Sequence, residues 1–126
     1  MSEATGEYEL VVGSLDIDGG HVDNTVIPTY VSEVRERFLH ETVPRATEYG
    51  KPVVRLELDY HAELFAGDRV SGIIDVLDVG TTSLTTEVRL TSAGEPVATA
   101  RTVQVTTDPD TGEPISVPES WRAALS

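Results

Sequence analysis

The hydrophobic period of this chain changes once, and that change limits what it can fold into. Val26, Tyr30, Val34 and Phe38 recur every four residues, and Ile27, Val31 and Leu39 widen the same stripe. Such a stripe marks an amphipathic helix. Pro28 is compatible only with the first turn, so the helix starts near it, with Asn24 or Thr25 as the N-cap, and Pro44 ends it. Before it, Glu7 to Gly13 reads as a strand. From Val53 onward the period is two. Val54, Leu56, Leu58 and Tyr60 alternate with Arg55, Glu57 and Asp59, and Leu84, Thr86, Val88 and Leu90 alternate with Ser83, Thr85, Glu87 and Arg89. Between them Val70 to Val79 is apolar enough to be covered on both faces. Val97 to Thr107 is a last strand, after a hairpin turn at Ala93-Gly94-Glu95, and Pro118 to Leu125 reads as a short terminal helix around Trp121.

One long helix cannot bury its stripe alone, and strands joined by tight turns are antiparallel. The expected fold is therefore α+β, with an antiparallel five-stranded sheet wrapped around one long helix and a short helix at the C-terminus. At 126 residues the chain is expected to form a single domain, residues 1–126, with a core that needs no staples.

Composition removes several functions. There is no cysteine, hence no disulfide, thiolate metal site or cysteine nucleophile. Asp and Glu total 22 against eight Arg and the single Lys51, a net charge of −13. That balance argues against nucleic acid and against an anionic membrane surface as partners. It resembles the composition of proteins from salt-loving organisms, where salt screens self-repulsion. With no basic, apolar leader and no run long enough to span a bilayer, the protein is expected to be soluble and cytoplasmic.

Where the first strand gives way to the helix, Ser14 to Asn24 carries Asp16, Asp18, Gly19, Gly20, His21 and Asp23. A calcium loop is excluded by spacing, because its glycine position falls on His21 and its final glutamate position on Ile27; no metal is expected. A carboxylate beside the free N–H groups of a helix start can instead support acyl transfer: the N–H groups polarise a carbonyl while the carboxylate activates water or attacks. The same residues equally describe a solvated loop whose Asp side chains cap a helix, and on the residues alone that plainer account is favoured. No G-x-S-x-G elbow, P-loop or dinucleotide-binding glycine pattern is present.

The run Asp16-Ile-Asp18-Gly-Gly20-His21-Val22-Asp-Asn24, followed by Tyr30-x-x-Glu33-x-Arg35, resembles the hotdog-fold acyl-CoA thioesterases of the 4-hydroxybenzoyl-CoA thioesterase type. Leu58-Asp59-Tyr60, Ala66-Gly67-Asp68, Gly80-x-x-Ser83-Leu84 and Pro118-Glu119-Ser-Trp121-Arg122 keep the order, so the likeness spans about residues 7–123. The resemblance implies the hotdog fold and metal-independent hydrolysis of an acyl-CoA thioester, with no cofactor beyond the CoA of the substrate. It makes Asp18 the first choice for the catalytic carboxylate and Asp16 the reserve, because the loop before Gly20 is one residue shorter than the family's. His21, Asn24 and Glu33 join them in the catalytic set. Gly20, Tyr30, Ser83 and Arg89 are assigned to substrate binding. A homodimer or homotetramer with sites between subunits is implied. The alternatives are a hotdog hydratase or dehydratase, and an inactive hotdog module that binds acyl thioesters or a protein partner.

Overall fold

A computed structural model of the protein describes residues 4–13, 17–18, 21–22 and 24–126, with only the backbone of Ile17, Asp18 and His21. The first strand, β1, is Thr5–Val11. Two short strands follow, β2 (Ile17–Asp18) and β3 (His21–Val22), which pair as a small hairpin. The helix α1 is Ile27–Thr42, and β4 (Val53–Tyr60), β5 (Arg69–Val79), β6 (Ser83–Ser92) and β7 (Glu95–Val105) precede the terminal helix α2, Glu119–Leu125. The large sheet has five strands in the order β1-β5-β6-β7-β4, each neighbouring pair antiparallel.

The helix lies on one face of this sheet, packed on β1, β5 and β6. Val34 and Phe38 lie on the side of α1 that meets β5 and β1. A Cβ placed on Gly72 of β5 would stand 2.5 Å from Val34 Cγ2, and one on Gly6 of β1 would stand 2.9 Å from Phe38 Cδ1. Glycine at 72 is what allows helix and sheet to come this close. Around that contact Val31, Val34, Leu39, Ile74, Val88, Leu90 and Ala100 are essentially without solvent exposure. The β6–β7 hairpin turns at Ala93 and Gly94, both at positive φ (51° and 80°), as a two-residue hairpin loop requires.

Behind the helix, α2 closes the core. Trp121 Nε1 donates to the Pro44 carbonyl at 2.7 Å and its ring meets Tyr49 edge-on at 5.4 Å. Arg122 donates to the carbonyls of Val79 and Gly80 at 3.1 and 2.8 Å, fixing the turn into β6.

Two sequence expectations are corrected. Val26, not Asn24 or Thr25, occupies the N-cap position, with no side-chain cap; Pro28 supplies the fixed φ there instead. Strand β5 is not covered on both faces: Val70, Gly72, Ile74 and Val76 are buried, whereas Ser71, Ile73 and Asp75 face out half-exposed, because the helix covers one face only. Strand β4 is at the sheet edge beyond the helix. Leu56 and Tyr60 are 43% and 47% exposed, although they stand opposite the buried Thr102 and Ala98 of β7.

Gly72→Ala pushes a methyl group into Val34, and the helix must lift. Urea unfolding should show a loss of about 1–3 kcal/mol. A variant as stable as wild type would mean the contact is not tight.

Candidate functional site

At the N-terminal end of α1, four chain segments are tied together by backbone and side-chain hydrogen bonds. Val22 N–H donates to the Leu64 carbonyl at 2.8 Å, which fastens the β2–β3 hairpin to the connection between β4 and β5. That connection is fastened to the end of β1 in turn, Val12 N–H to the Asp68 carbonyl at 3.0 Å and Gly67 N–H to the Val12 carbonyl at 3.2 Å. Asp68 Oδ2 also accepts from Phe65 N–H at 2.8 Å. At the end of β4, the Tyr60 hydroxyl donates to the Asn24 carbonyl at 2.8 Å and so holds the chain where it enters the helix.

The start of α1 is a tight turn. Thr29 N–H turns back to the Val26 carbonyl at 2.9 Å, and Tyr30 N–H approaches the same oxygen at 3.4 Å. Pro28 has no N–H. No acceptor among the described residues takes the N–H groups of Val26 or Ile27. A helix start with open N–H groups favours a negative or developing negative charge.

The structure brings some of the sequence-assigned residues to this place. Asp18 and His21 are paired backbone positions of the hairpin, and Asn24 lies exposed between hairpin and helix. Asp16 and Gly20 lie outside the described residues. Tyr30, one turn into α1, is a core residue at 6% exposure. Others stand apart. Glu33 is exposed on the outer side of the helix and pairs with Arg37 at 3.2 Å. Ser83 begins β6 opposite Val105, seven residues along β7 from Ala98, which stands opposite Tyr60; that separation is roughly 23 Å within one chain. Arg89 points to the sheet face away from the helix, held by Asp75 at 2.7 Å.

Arg35 belongs to the run that carries the family resemblance but was assigned no role. It is 6% exposed, on the helix flank toward β7. Its Nη1 donates to Thr102 Oγ1 at a long 3.5 Å and its Nη2 to Ser32 Oγ at 3.2 Å, while Nε has no hydrogen-bond partner among the described residues. The Glu36 carboxylate is 3.9 Å from Nε and itself half-exposed. Burial pulls the guanidinium below its ordinary pKa, and Glu36 offsets part of that pull. The signal was present in the sequence: Ile27, Val31, Arg35 and Leu39 are four residues apart, so the charge sits inside the apolar stripe.

At the other end of α1 a cleft of about 320 Å³ opens beside His40, Thr47 and Lys51. Its charged groups are taken up structurally. Lys51 Nζ donates to the Ala46 carbonyl at 2.8 Å, Arg37 holds Glu33, and Glu41 accepts from the Tyr8 hydroxyl at 2.8 Å. None of the sequence-assigned site residues lines it.

Residues 12–125 match the sequence model of the thioesterase-like superfamily. No curated protein matches the sequence. Among solved structures, a predicted thioesterase from Bacillus stearothermophilus is 26% identical, with a TM-score of 0.88, over 97% of this chain and 94% of that one. A thioesterase from Thermus thermophilus, solved with coenzyme A and Zn, is 29% identical, with a TM-score of 0.82, over 94% of each chain. A 1,4-dihydroxy-2-naphthoyl-CoA thioesterase from Synechocystis shares the fold at 21% identity and a TM-score of 0.85, over 96% of this chain and 95% of that one.

Burial, and then the bond to Glu41 and its charge, push the Tyr8 phenol up to about 12, with Arg37 opposing. An unfolded tyrosine titrates near about 10. The protonated phenol is the form the fold holds, so its stabilising contribution is complete below pH 10 and is lost as pH rises through 12. In alkaline denaturation followed by circular dichroism, Tyr8→Phe should flatten the fall in stability across that window. An unchanged profile would show that the bond contributes nothing.

Proposed function

The chain belongs to the thioesterase-like superfamily, with the hotdog fold, and we propose that within it this protein hydrolyses the thioester of an acyl-CoA. The observation that carries the reading is the hairpin bearing Asp18, pinned through Val22 and Leu64 beside a helix start whose Val26 and Ile27 N–H groups have no acceptor among the described residues. In this reading the thioester carbonyl oxygen takes those N–H groups as negative charge develops on it. The Asp18 carboxylate removes a proton from the attacking water, or attacks the carbonyl carbon itself, and the CoA thiolate leaves. Asp16 is the second choice for that carboxylate. His21, Gly20 and Asn24 are assigned to the approach, and no metal or cofactor is needed beyond the CoA of the substrate. The coenzyme A bound by the Thermus thermophilus protein supports the choice of thioester. We place the protein in the cytoplasm, where such thioesters are used.

A second copy of the chain belongs to the same reading. Strand β4 ends the sheet with an open backbone edge and an exposed apolar row, the kind of edge that pairs with another strand. A homodimer, or a tetramer built from it, would cover that edge.

Free-thiol release from acyl-CoA in high salt tests the proposal. Wild type should release thiol, and Asp18→Asn should reduce kcat by about 10²- to 10⁴-fold with the fold intact. Loss in Asp16→Asn alone would keep the chemistry and move the carboxylate. No release by folded wild type would overturn the reading.

A further inference from the structure

Helix α1 is entered through a proline, and that proline removes a bond. Continuing α1 one turn further back would ask the Asn24 carbonyl to accept from the N–H of residue 28, and Pro28 has none. The Asn24 carbonyl is bonded from the sheet instead. The Tyr60 hydroxyl donates to it at 2.8 Å, across 36 positions of sequence.

This bond bears on the donors that the thioesterase reading uses. Each carbonyl shares a rigid plane with the N–H of the next residue. Thr29 N–H, bonded to the Val26 carbonyl at 2.9 Å, fixes the plane that also holds the Ile27 N–H. Tyr60 fixes the plane of the Asn24 carbonyl and the Thr25 N–H. Between these two lies a single plane, which carries the Val26 N–H. Both donors are therefore bracketed, by one bond inside the helix and one from β4.

The sheet end of the bracket is anchored. Tyr60 is the last residue of β4 and stands opposite Ala98 of β7. Directly after it, His61 N–H and Ala62 N–H donate to the Val97 carbonyl at 2.7 and 3.2 Å, and His61 Nε2 meets Thr99 Oγ1 at 3.1 Å. The Tyr60 ring is 47% exposed and adds little to the core, so its hydroxyl is the part of it with a structural task. A matching bond lies at the other end of the same helix, where the Tyr8 hydroxyl donates to Glu41 at the same 2.8 Å. That pair is far from Val26 and serves as its control.

We propose that Tyr60 is a positioning residue, which holds the Val26 and Ile27 N–H groups in the orientation that the thioester oxygen meets. The inference rests on the thioesterase reading above and adds to it a residue that acts only through the Asn24–Thr25 peptide. Donors aimed at developing charge contribute through their fixed direction, and small misplacements at a reacting centre are costly in rate. Loosening the bracket therefore belongs in kcat rather than in substrate binding.

Tyr60→Phe removes the hydroxyl and keeps the half-exposed ring. In free-thiol release from acyl-CoA in high salt it should lower kcat by about tenfold or more, with KM within about twofold of wild type. Tyr8→Phe, which removes the equivalent bond at the far end of α1, should keep kcat within about twofold of wild type. Hydrogen–deuterium exchange without ligand should speed up at Thr29 and Tyr30, whose N–H groups close the first turn, in Tyr60→Phe and not in Tyr8→Phe. An unchanged kcat in Tyr60→Phe, a loss carried by KM alone, an equal loss in Tyr8→Phe, or unchanged exchange at the first turn would each overturn the inference. All four leave the thioesterase reading standing, because wild type still hydrolyses. Folded wild type that releases no thiol would instead remove that reading, and Tyr60 would be a structural tie only.

Discussion

The close seating of α1 on the sheet at Val34 and Gly72 governs this structure. A helix pressed that tightly over β5 is fixed laterally, and its flanks are thereby decided. One side, through Phe38, covers β1. The other reaches only far enough for Arg35 to touch β7. Strand β4 is left as the sheet edge with Leu56 and Tyr60 exposed, and both follow from that limit. Packing density makes such a contact sensitive to a single methyl group.

Charge is distributed in keeping with that layout. On the face away from the helix, Asp75 stands directly opposite Glu87, a repulsive pairing relieved by Arg89 on Asp75 and Arg101 on Glu87. Arg55 and Glu57 continue the pattern onto β4. These exposed pairs contribute little stability individually, but they occupy arginines that would otherwise be free to meet an anionic ligand. Arg35 differs from them: it is buried, faces inward, and has no carboxylate at short range.

Much of the fold was legible because periodicity reports faces. The four-residue stripe from Val26 to Leu39 became α1, the alternation in β6 became a strand buried on one side, and Trp121 anchored the terminal helix. Periodicity does not report how far a helix reaches across a sheet. Val70 to Val79 therefore read as doubly covered until the helix position was known. The helix start misled differently. Asn24 and Thr25 are good capping residues, yet Pro28 and a turn at Val26 set the entry without them. At the site, the acidic loop was legible by composition and family likeness, whereas Arg35 was hidden by its own charge, since an arginine on a helix reads as a solvated residue. Only its place between Val31 and Leu39 marks it as inward. The alternation in β6 puts Arg89 on the outer polar row, whereas no local signal reports that Ser83 stands at the far end of the sheet.

The central claim is that the ligand is met at the start of α1. Hydrogen–deuterium exchange with and without a non-hydrolysable S-alkyl CoA thioether tests it most directly. Exchange should slow at residues 22–27, leaving the cleft beside His40 and Lys51 unchanged. Protection confined to that cleft, with none at the helix start, would contradict the account.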